Sequence, residues 1–214
     1  RHVVRGIVGH LRKLSMLLDA ARSQLVLVDY QIRLVPAVFE SAAVVGNAVR
    51  LGKLARLMGV PVWGTEENPS RLGENLPEVR ALCGRTLGKM QFSAVAEGLA
   101  EWLRPPAKAL QGNARSLPRH LQKPASQGER DMIVIAGCEA HVCLLQTALD
   151  LLEDDFDVWV VTDACGSRTE RNRDAAFDRL AGAGAELVST EMVVFEWLRS
   201  AAHPNFGTAL ALIK

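Results

Sequence analysis

Five short, apolar, β-rich runs set the strongest constraint on how this 214-residue chain can fold. Most of them are continuous rather than alternating, which is typical of strands buried on both faces of a parallel sheet. The predicted strands are 24–30, 60–65, 131–137, 157–163 and 185–190. Helical periodicity follows them in the chain, at 37–58, 141–153, 170–182 and 191–201. This alternation predicts an α/β protein, with three α/β/α layers around a mostly parallel, doubly wound sheet of about five to six strands.

Two segments fall outside this alternation. Residues 1–15 contain basic residues and no acidic ones, and they lack the apolar core of a secretory signal. A transit peptide is one interpretation, but we expect an upstream extension that precedes a single domain over 16–214. Residues 104–130 are rich in Pro, Gln and Arg, and a structureless connection of this length is uncommon inside a compact domain. We expect a surface loop insertion there, because the sheet needs strands on both sides of it.

Charge and cysteine content exclude several classes of protein. The formal net charge of +1 creates no strong field for nucleic acid or an anionic membrane surface. No apolar run approaches the roughly 20 residues that a membrane-spanning helix needs. The four cysteines are too few and too scattered for a disulfide scaffold. We therefore expect a reduced, cytoplasmic protein that binds neither nucleic acid nor membranes.

Known ligand-binding motifs fail on spacing. The stretch from Gly46 to Lys53 is similar to a phosphate-binding loop, but its glycines are one residue too far apart and it lies inside a predicted helix. The five histidines are dispersed. Cys138 and Cys143 have no second pair at zinc-finger spacing. The sequence therefore predicts neither a metal nor a cofactor.

One candidate site remains, at the carboxyl ends of the predicted strands, where open α/β sheets bind ligands. Asp29 follows the first strand, and Cys143 lies in the first turn of the helix after strand 131–137. A helix N-terminus stabilises a thiolate, so we expect a lowered thiol pKa and a nucleophile with Asp29 as its base. The alternatives are an inert buried cysteine and an aspartate that only caps a turn.

Six sequence blocks resemble the isochorismatase-like cysteine hydrolases, in the order that this superfamily has them. They are LVLVDYQIRL (25–34), PVWGTEENPSRLG (61–73), LGKMQFSA (87–94), IAGCEAHVCLLQTALDL (135–151), VTDACGSRTERNRDAAFDRL (161–180) and STEMVVFEWL (189–198). The resemblance runs from about residue 16 to the C-terminus, interrupted by 104–130.

The resemblance implies a catalytic triad of Asp29, Lys89 and Cys143. It also implies a cis peptide bond between Cys138 and Glu139, with an oxyanion hole formed by the backbone N–H groups of Glu139 and Cys143. The same blocks suggest further side chains for substrate binding. These are Gln31, Phe92 and His141. A homo-oligomer, at least a dimer, is implied as well.

Departures from the superfamily narrow the expected chemistry. Nicotinamidases bind zinc through an Asp and histidines after the second strand, whereas the stretch WGTEENPSRLG here contains no histidine. Isochorismate-hydrolysing members often lack the cysteine, so Cys143 favours covalent hydrolysis of a C–N (amide or ureido) or ester bond of a small molecule. Three alternatives stay open: a vinyl-ether hydrolase with Asp29 as general acid, a thiol-based redox or binding protein, and a catalytically idle scaffold.

Overall fold

The computed structural model of the protein describes residues 17–105 and 130–214. The predicted extension 1–15 lies outside the described residues, as does all of the predicted insertion 104–130 except its two ends. Among the described residues, no helix combines the length and apolar character that crossing a membrane requires.

Six parallel strands form the central sheet, in the order β3-β2-β1-β4-β5-β6. The strands are β1 Ser23–Val28, β2 Val62–Glu67, β3 Arg85–Lys89, β4 Met132–Gly137, β5 Asp157–Val161 and β6 Glu186–Val188. The chain builds outwards from β1 to one edge, returns at β4 beside β1, and then builds to the other edge. With helices on both faces, this topology confirms the predicted three-layer, doubly wound fold.

Eight α-helices and several single turns connect the strands in the described part of the chain. The helices are α1 Ser41–Leu57, α2 Pro69–Leu72, α3 Pro77–Arg80, α4 Leu99–Leu103, α5 Leu145–Glu153, α6 Glu170–Gly182, α7 Thr190–Leu198 and α8 Phe206–Ile213. A π-turn, Ala140–Leu144, leads into α5. Hydroxyl caps start the two helices after β5 and β6: Thr169 accepts the N–H of Asn172 in α6, and Ser189 accepts the N–H of Met192 in α7.

The two central strands, β1 and β4, approach closely at their carboxyl ends, and this contact positions the site. Every residue of β1 and β4 is buried. The register of this pair places Val28 beside Gly137. A Cβ at Gly137 would collide with the carbonyl oxygen and side chain of Val28, so glycine is required. As a result, the residues that follow β1 and β4 start side by side at the carboxyl edge of the sheet.

Five of these strands and helices were not predicted from the sequence. Strand β3 and the short helices α2 and α3 lie within 66–90, which the sequence pattern describes only as a long connection. Helix α4 lies between that connection and the predicted insertion, and α8 follows the last predicted helix. Strand β3 pairs with β2 alone and is largely solvent-accessible until Lys89. An edge strand of this kind has no continuous apolar run, which is the signal that identified the other five strands.

Candidate active site

Asp29 follows β1 directly and is fixed against β2. Its backbone has a φ of 53°, which turns the chain out of the strand, and its side chain is fully buried. Thr65 of β2 donates its hydroxyl to Asp29 Oδ1 at 2.6 Å, and the Asp29 N–H donates to the Thr65 carbonyl at 3.2 Å. The second oxygen, Oδ2, is buried and accepts no hydrogen bond from the described residues, although it forms an ion pair.

Lys89 reaches Asp29 from the edge strand. It is the last residue of β3, paired in register with Glu67 at the end of β2. Its Nζ lies 2.9 Å from Asp29 Oδ2 and 2.7 Å from Glu67 Oε2, and it donates to the Phe92 carbonyl at 3.1 Å. The ammonium thus donates hydrogen bonds to Glu67 and to the Phe92 carbonyl and forms an ion pair with Asp29.

The Lys89 side chain is 0% exposed, so its charge depends on these neighbours. Burial alone would lower the pKa of Lys89, but the nearby Asp29, Cys143 and Glu67 outweigh burial and raise this pKa above its ordinary value. We name Asp29, Glu67 and Lys89 the acid–lysine cluster. The ammonium therefore stays charged and bridges two buried carboxylates.

Cys143 completes the site from the other half of the sheet. It lies in the π-turn after β4, is 5% exposed, and its Sγ lies within 4.8 Å of a carboxylate oxygen of both Asp29 and Glu67. Burial and then the Asp29 carboxylate raise the pKa of the Cys143 thiol, against the opposing effect of Lys89. The predicted lowering of this pKa is therefore wrong. Burial and the two nearby carboxylates disfavour the thiolate more than Lys89 and the helix dipole favour it.

The turn before Cys143 is held by its own backbone and by one ion pair. The peptide bond between Cys138 and Glu139 is cis. The Ala140 N–H donates to the Gly166 carbonyl at 2.7 Å, whereas the Glu139 N–H has no acceptor among the described residues. The Glu139 carboxylate pairs with Arg168 at 2.7 Å, and this guanidinium lowers the pKa of Glu139. The turn that leads to Cys143 thus begins with an N–H donor, that of Glu139, which no described residue accepts.

The three predicted substrate-binding residues have different surroundings. Gln31 is buried, donates to the carbonyls of Glu67 and Gly73, and accepts the Glu67 N–H. Its amide therefore positions the end of β2, and both of its N–H groups are already used. The Phe92 side chain is 51% exposed, while its carbonyl contacts Lys89. His141 is half-buried, with Nδ1 2.9 Å from Ser167 Oγ.

Glu67 is the member of the site that the sequence patterns missed. It belongs to the stretch TEENP, where it resembles an ordinary loop acid. The signal that identifies it is structural: parallel register places the end of β2 between Asp29 and Lys89. Adjacent strand ends at one sheet edge therefore bring a second carboxylate to Cys143.

The cluster contains metal-ligand atoms, yet a cation is already present in it. Asp29, Glu67 and Cys143 each offer one ligand atom, and these atoms all lie within 4.8 Å of one another. The Lys89 ammonium contacts both carboxylates, so a divalent ion would have to compete with it for the same oxygens. The prediction of a metal-free site stays a prediction, and this competition supports it.

Little of the site is open to solvent. A groove of about 450 Å³ lies beside α7, lined by residues that include Leu17, Met192 and Phe195. A second groove, of about 570 Å³, lies between α1 and α8. Neither includes Asp29, Lys89 or Cys143. The small exposed fraction of Cys143 indicates that only a small group can reach its sulfur.

An α/β sheet with a buried cysteine, lysine and aspartate at its carboxyl edge is the arrangement that the sequence resemblance implied, and comparison with known proteins defines the class. The Isochorismatase domain family matches residues 116–192. The Rattus norvegicus protein "Isochorismatase domain-containing protein 2" is 35% identical over 192 residues, which cover 90% of this chain and 81% of that protein. The chain therefore belongs to the isochorismatase family.

Other members illustrate the range of this family. The Phytophthora sojae "Secreted isochorismatase effector Isc1" is 32% identical over 82% of this chain and 77% of its own length. A Caenorhabditis elegans structure described as MAR1 ribonuclease has a TM-score of 0.78 and 26% identity, and the match covers 92% of both chains.

Two YcaC structures are also similar. YcaC from Pseudomonas aeruginosa, determined with hexane-2,5-diol and covalent acrylamide, has a TM-score of 0.76 and 25% identity over 92% of this chain and 91% of its own. YcaC from Escherichia coli is described as an octameric hydrolase of unknown specificity. It has a TM-score of 0.75 and 27% identity over 92% of this chain and 88% of its own.

Proposed function

We propose that this protein is a cysteine hydrolase that cleaves a C–N (amide or ureido) or ester bond of a small molecule. Cys143 is the nucleophile, Asp29 the general acid and base, and Lys89 the cation that pairs with Asp29. The observation that carries the proposal is the convergence of these three side chains. They come from the ends of three different segments, yet the Lys89 ammonium lies 2.9 Å from Asp29 and Cys143 lies within 4.8 Å of Asp29.

The first half of the reaction forms a covalent intermediate. Asp29 Oδ2, which accepts no hydrogen bond from the described residues, takes the proton of the Cys143 thiol as the sulfur bonds to the substrate carbonyl carbon. The carbonyl oxygen becomes an oxyanion, and the N–H groups of Glu139 and Cys143 stabilise it. When the tetrahedral intermediate collapses, the C–N or C–O bond breaks, and Asp29 returns the proton to the departing amine or alcohol.

The second half restores the enzyme with water. Asp29 takes a proton from a water molecule as its oxygen attacks the thioester carbon. The C–S bond then breaks, the acid product leaves, and the proton passes to sulfur to regenerate the thiol. Burial and Asp29 raise the pKa of the Cys143 thiol, which favours transfer of the proton to Asp29 during the attack over a preformed thiolate.

The comparisons support a reactive nucleophile and say less about the substrate. Acrylamide is bound covalently in the Pseudomonas aeruginosa YcaC structure, and acrylamide is a small neutral amide. The Caenorhabditis elegans neighbour is described as a ribonuclease. A buried site with two carboxylates and one ammonium does not favour a polyanionic phosphodiester, so RNA is not the proposed substrate. Vinyl-ether hydrolysis, with Asp29 as general acid, is the second candidate, because Asp29 alone could protonate such a substrate.

Assembly, cofactors and location follow as parts of the same proposal. We propose a homo-oligomer, supported by the octameric state described for Escherichia coli YcaC. We propose hydrolysis without a cofactor, since each proton transfer above is assigned to Asp29. Four free cysteines fit a reducing cytoplasm, although one relative is described as secreted.

The decisive experiment is to trap the thioester. The full-length protein is mixed with p-nitrophenyl acetate and with small amides, quenched in acid, and analysed by mass spectrometry for acylation of Cys143. Cys143→Ala should abolish both the acyl adduct and turnover. Cys83→Ala is the matched control, because Cys83 is also a free, partly buried cysteine whose pKa burial raises to about 11. Turnover that survives in Cys143→Ala would overturn the covalent mechanism and favour the vinyl-ether reaction.

A further inference from the structure

Glu67 is a buried acid for which the proposed mechanism has no role. Its carboxylate lies 2.7 Å from Lys89, closer than the 2.9 Å between Lys89 and Asp29. It also lies within 4.8 Å of Cys143 Sγ. Holding such a charge out of water is costly unless it is paired, and the single ammonium is already shared with Asp29.

The acid–lysine cluster therefore has one carboxylate more than it has cations. Two carboxylates contact one ammonium, so the cluster has a net charge of minus one while Cys143 is a thiol. The next ion pair along the turn, Glu139 with Arg168, has one acid and one base and does not offset this charge. Because these groups are buried, water screens the excess charge far less than it would at the surface.

A second observation is that the excess charge faces the sulfur. Carboxylate oxygens of Asp29 and Glu67 lie within 4.8 Å of each other and of Cys143 Sγ, and the Lys89 ammonium that contacts both is itself buried. Any group that reaches the sulfur therefore comes within range of the excess negative charge.

We propose that Glu67 is a specificity-determining residue that restricts this site to uncharged or cationic carbonyl compounds, and that it rejects substrates carrying a carboxylate next to the reacting carbon. The inference rests on the proposed role of Cys143 as nucleophile. It goes further by naming the substrate class. Acidic vinyl ethers of the isochorismate type, the substrates of the second candidate function, fall outside that class.

The test compares two alkylating reagents of nearly equal size that differ in charge. Cys143 of the full-length protein is modified with neutral iodoacetamide and with anionic iodoacetate, and the site of modification is verified by peptide mass spectrometry. The quantity measured is the ratio of the two rates, divided by the same ratio for N-acetylcysteine. This ratio does not depend on the thiolate fraction, so a change in the pKa of Cys143 cannot mimic charge selection.

We expect the rate ratio of iodoacetamide to iodoacetate to be about tenfold larger for the wild-type protein than for N-acetylcysteine. The reason is the repulsion between one unscreened negative charge at the site and the anionic reagent. Glu67→Gln should remove most of that discrimination, and Glu67→Asp should keep it because it keeps the charge. Glu66→Gln is the matched control, since Glu66 is a buried acid on the same strand that instead accepts the Asn75 N–H and contacts Arg80.

Each outcome decides the inference. A wild-type ratio equal to that of the free thiol overturns charge selection, even if Glu67→Gln fails to fold, and leaves the hydrolase proposal standing. Equal discrimination in wild type and folded Glu67→Gln overturns the assignment to Glu67. Failure of both reagents to modify Cys143 would contradict the inference and the nucleophile together, whereas thioester trapping tests only the nucleophile.

Discussion

Two ion clusters, each with one cation and two carboxylates, lie at opposite ends of the sheet. At the carboxyl ends of the strands, the acid–lysine cluster joins one cation to two carboxylates. At the amino ends, Arg22 contacts Asp131 at 2.8 Å and Asp157 at 3.6 Å; we name these three residues the Arg22 cluster. Both clusters connect neighbouring strands, so ionic composition alone does not distinguish a reactive site from a structural one.

Burial distinguishes them. The Arg22 side chain is 35% exposed, and its guanidinium donates through two nitrogens to Asp131. Water can screen its charges, and the planar fork matches the carboxylate geometry. The Lys89 side chain is 0% exposed, and its charge is divided between two acids that also face Cys143. The two clusters therefore differ in the exposure of their cation and in their contact with a thiol, not in their number of charges.

The largest expected effect separates the aspartates of the two clusters. Asp29→Asn removes the group that accepts and returns the proton, so hydrolysis should fall by about 10²–10⁴-fold. Asp131→Asn should leave the rate of hydrolysis within about twofold, because general acid–base chemistry needs a group in reach of the reacting atoms. The measurement is the initial rate with p-nitrophenyl acetate for both variants, after thermal unfolding shows that each is folded. Equal losses of hydrolysis rate in the two variants would contradict the assignment of proton transfer to Asp29.

The second effect compares the two cations through stability. Lys89→Met leaves two buried carboxylates without a cation, which should reduce the free energy of unfolding by about 3–5 kcal/mol. Arg22→Met removes a pair that solvent partly screens, and we expect a loss of about 1 kcal/mol. Urea denaturation of both variants measures these values. A loss in Lys89→Met no greater than in Arg22→Met would show that water reaches the acid–lysine cluster.

The central half of the site could be predicted from the sequence. Asp29 and Cys143 each follow a continuous apolar run, and the carboxyl ends of parallel strands share one edge. A fully buried strand shows this signal within its own sequence, as an apolar run followed by a polar residue. In the structure, β1 lies beside β4, and this neighbourhood brings Asp29 and Cys143 together.

The edge half of the site could not be predicted in the same way. Strand β3 is too exposed to show an apolar run, so only the resemblance identified Lys89. Glu67 depends on the register of β2 with β3, which the pattern of one strand does not contain. The direction of the thiol pKa was also wrong, because it depends on the sum of two carboxylate charges, one ammonium and burial.

The third effect concerns pH and the reactivity of the thiol. Since the pKa of Cys143 is raised, the thiolate fraction should still be rising at pH 9, by about tenfold per pH unit below the pKa. Iodoacetamide labelling between about pH 6 and pH 9 should therefore show no plateau. Asp29→Asn removes a charge that raises this pKa, so the profile should move to lower pH by about one unit. Asp131→Asn should not move it, and a plateau near pH 7 in the wild type would contradict the raised pKa.

The smallest effect compares two threonine–aspartate hydrogen bonds at the same edge of the sheet. Thr65 donates to Asp29 Oδ1 at 2.6 Å, and Thr190 donates to Asp163 Oδ1 at 2.9 Å. Thr65→Val and Thr190→Val should each reduce the free energy of unfolding by about 1 kcal/mol, because each loses one buried or partly buried hydrogen bond.

Only the first bond fixes the orientation of the proposed base. Thr65→Val should therefore also slow hydrolysis, by about three- to tenfold, since a misplaced carboxylate transfers protons less efficiently. Thr190→Val should keep the wild-type rate, because Asp163 lies after β5 and takes no part in the acid–lysine cluster. The same rate loss in both variants would mean that general loosening of the sheet edge, rather than the position of Asp29, limits the reaction.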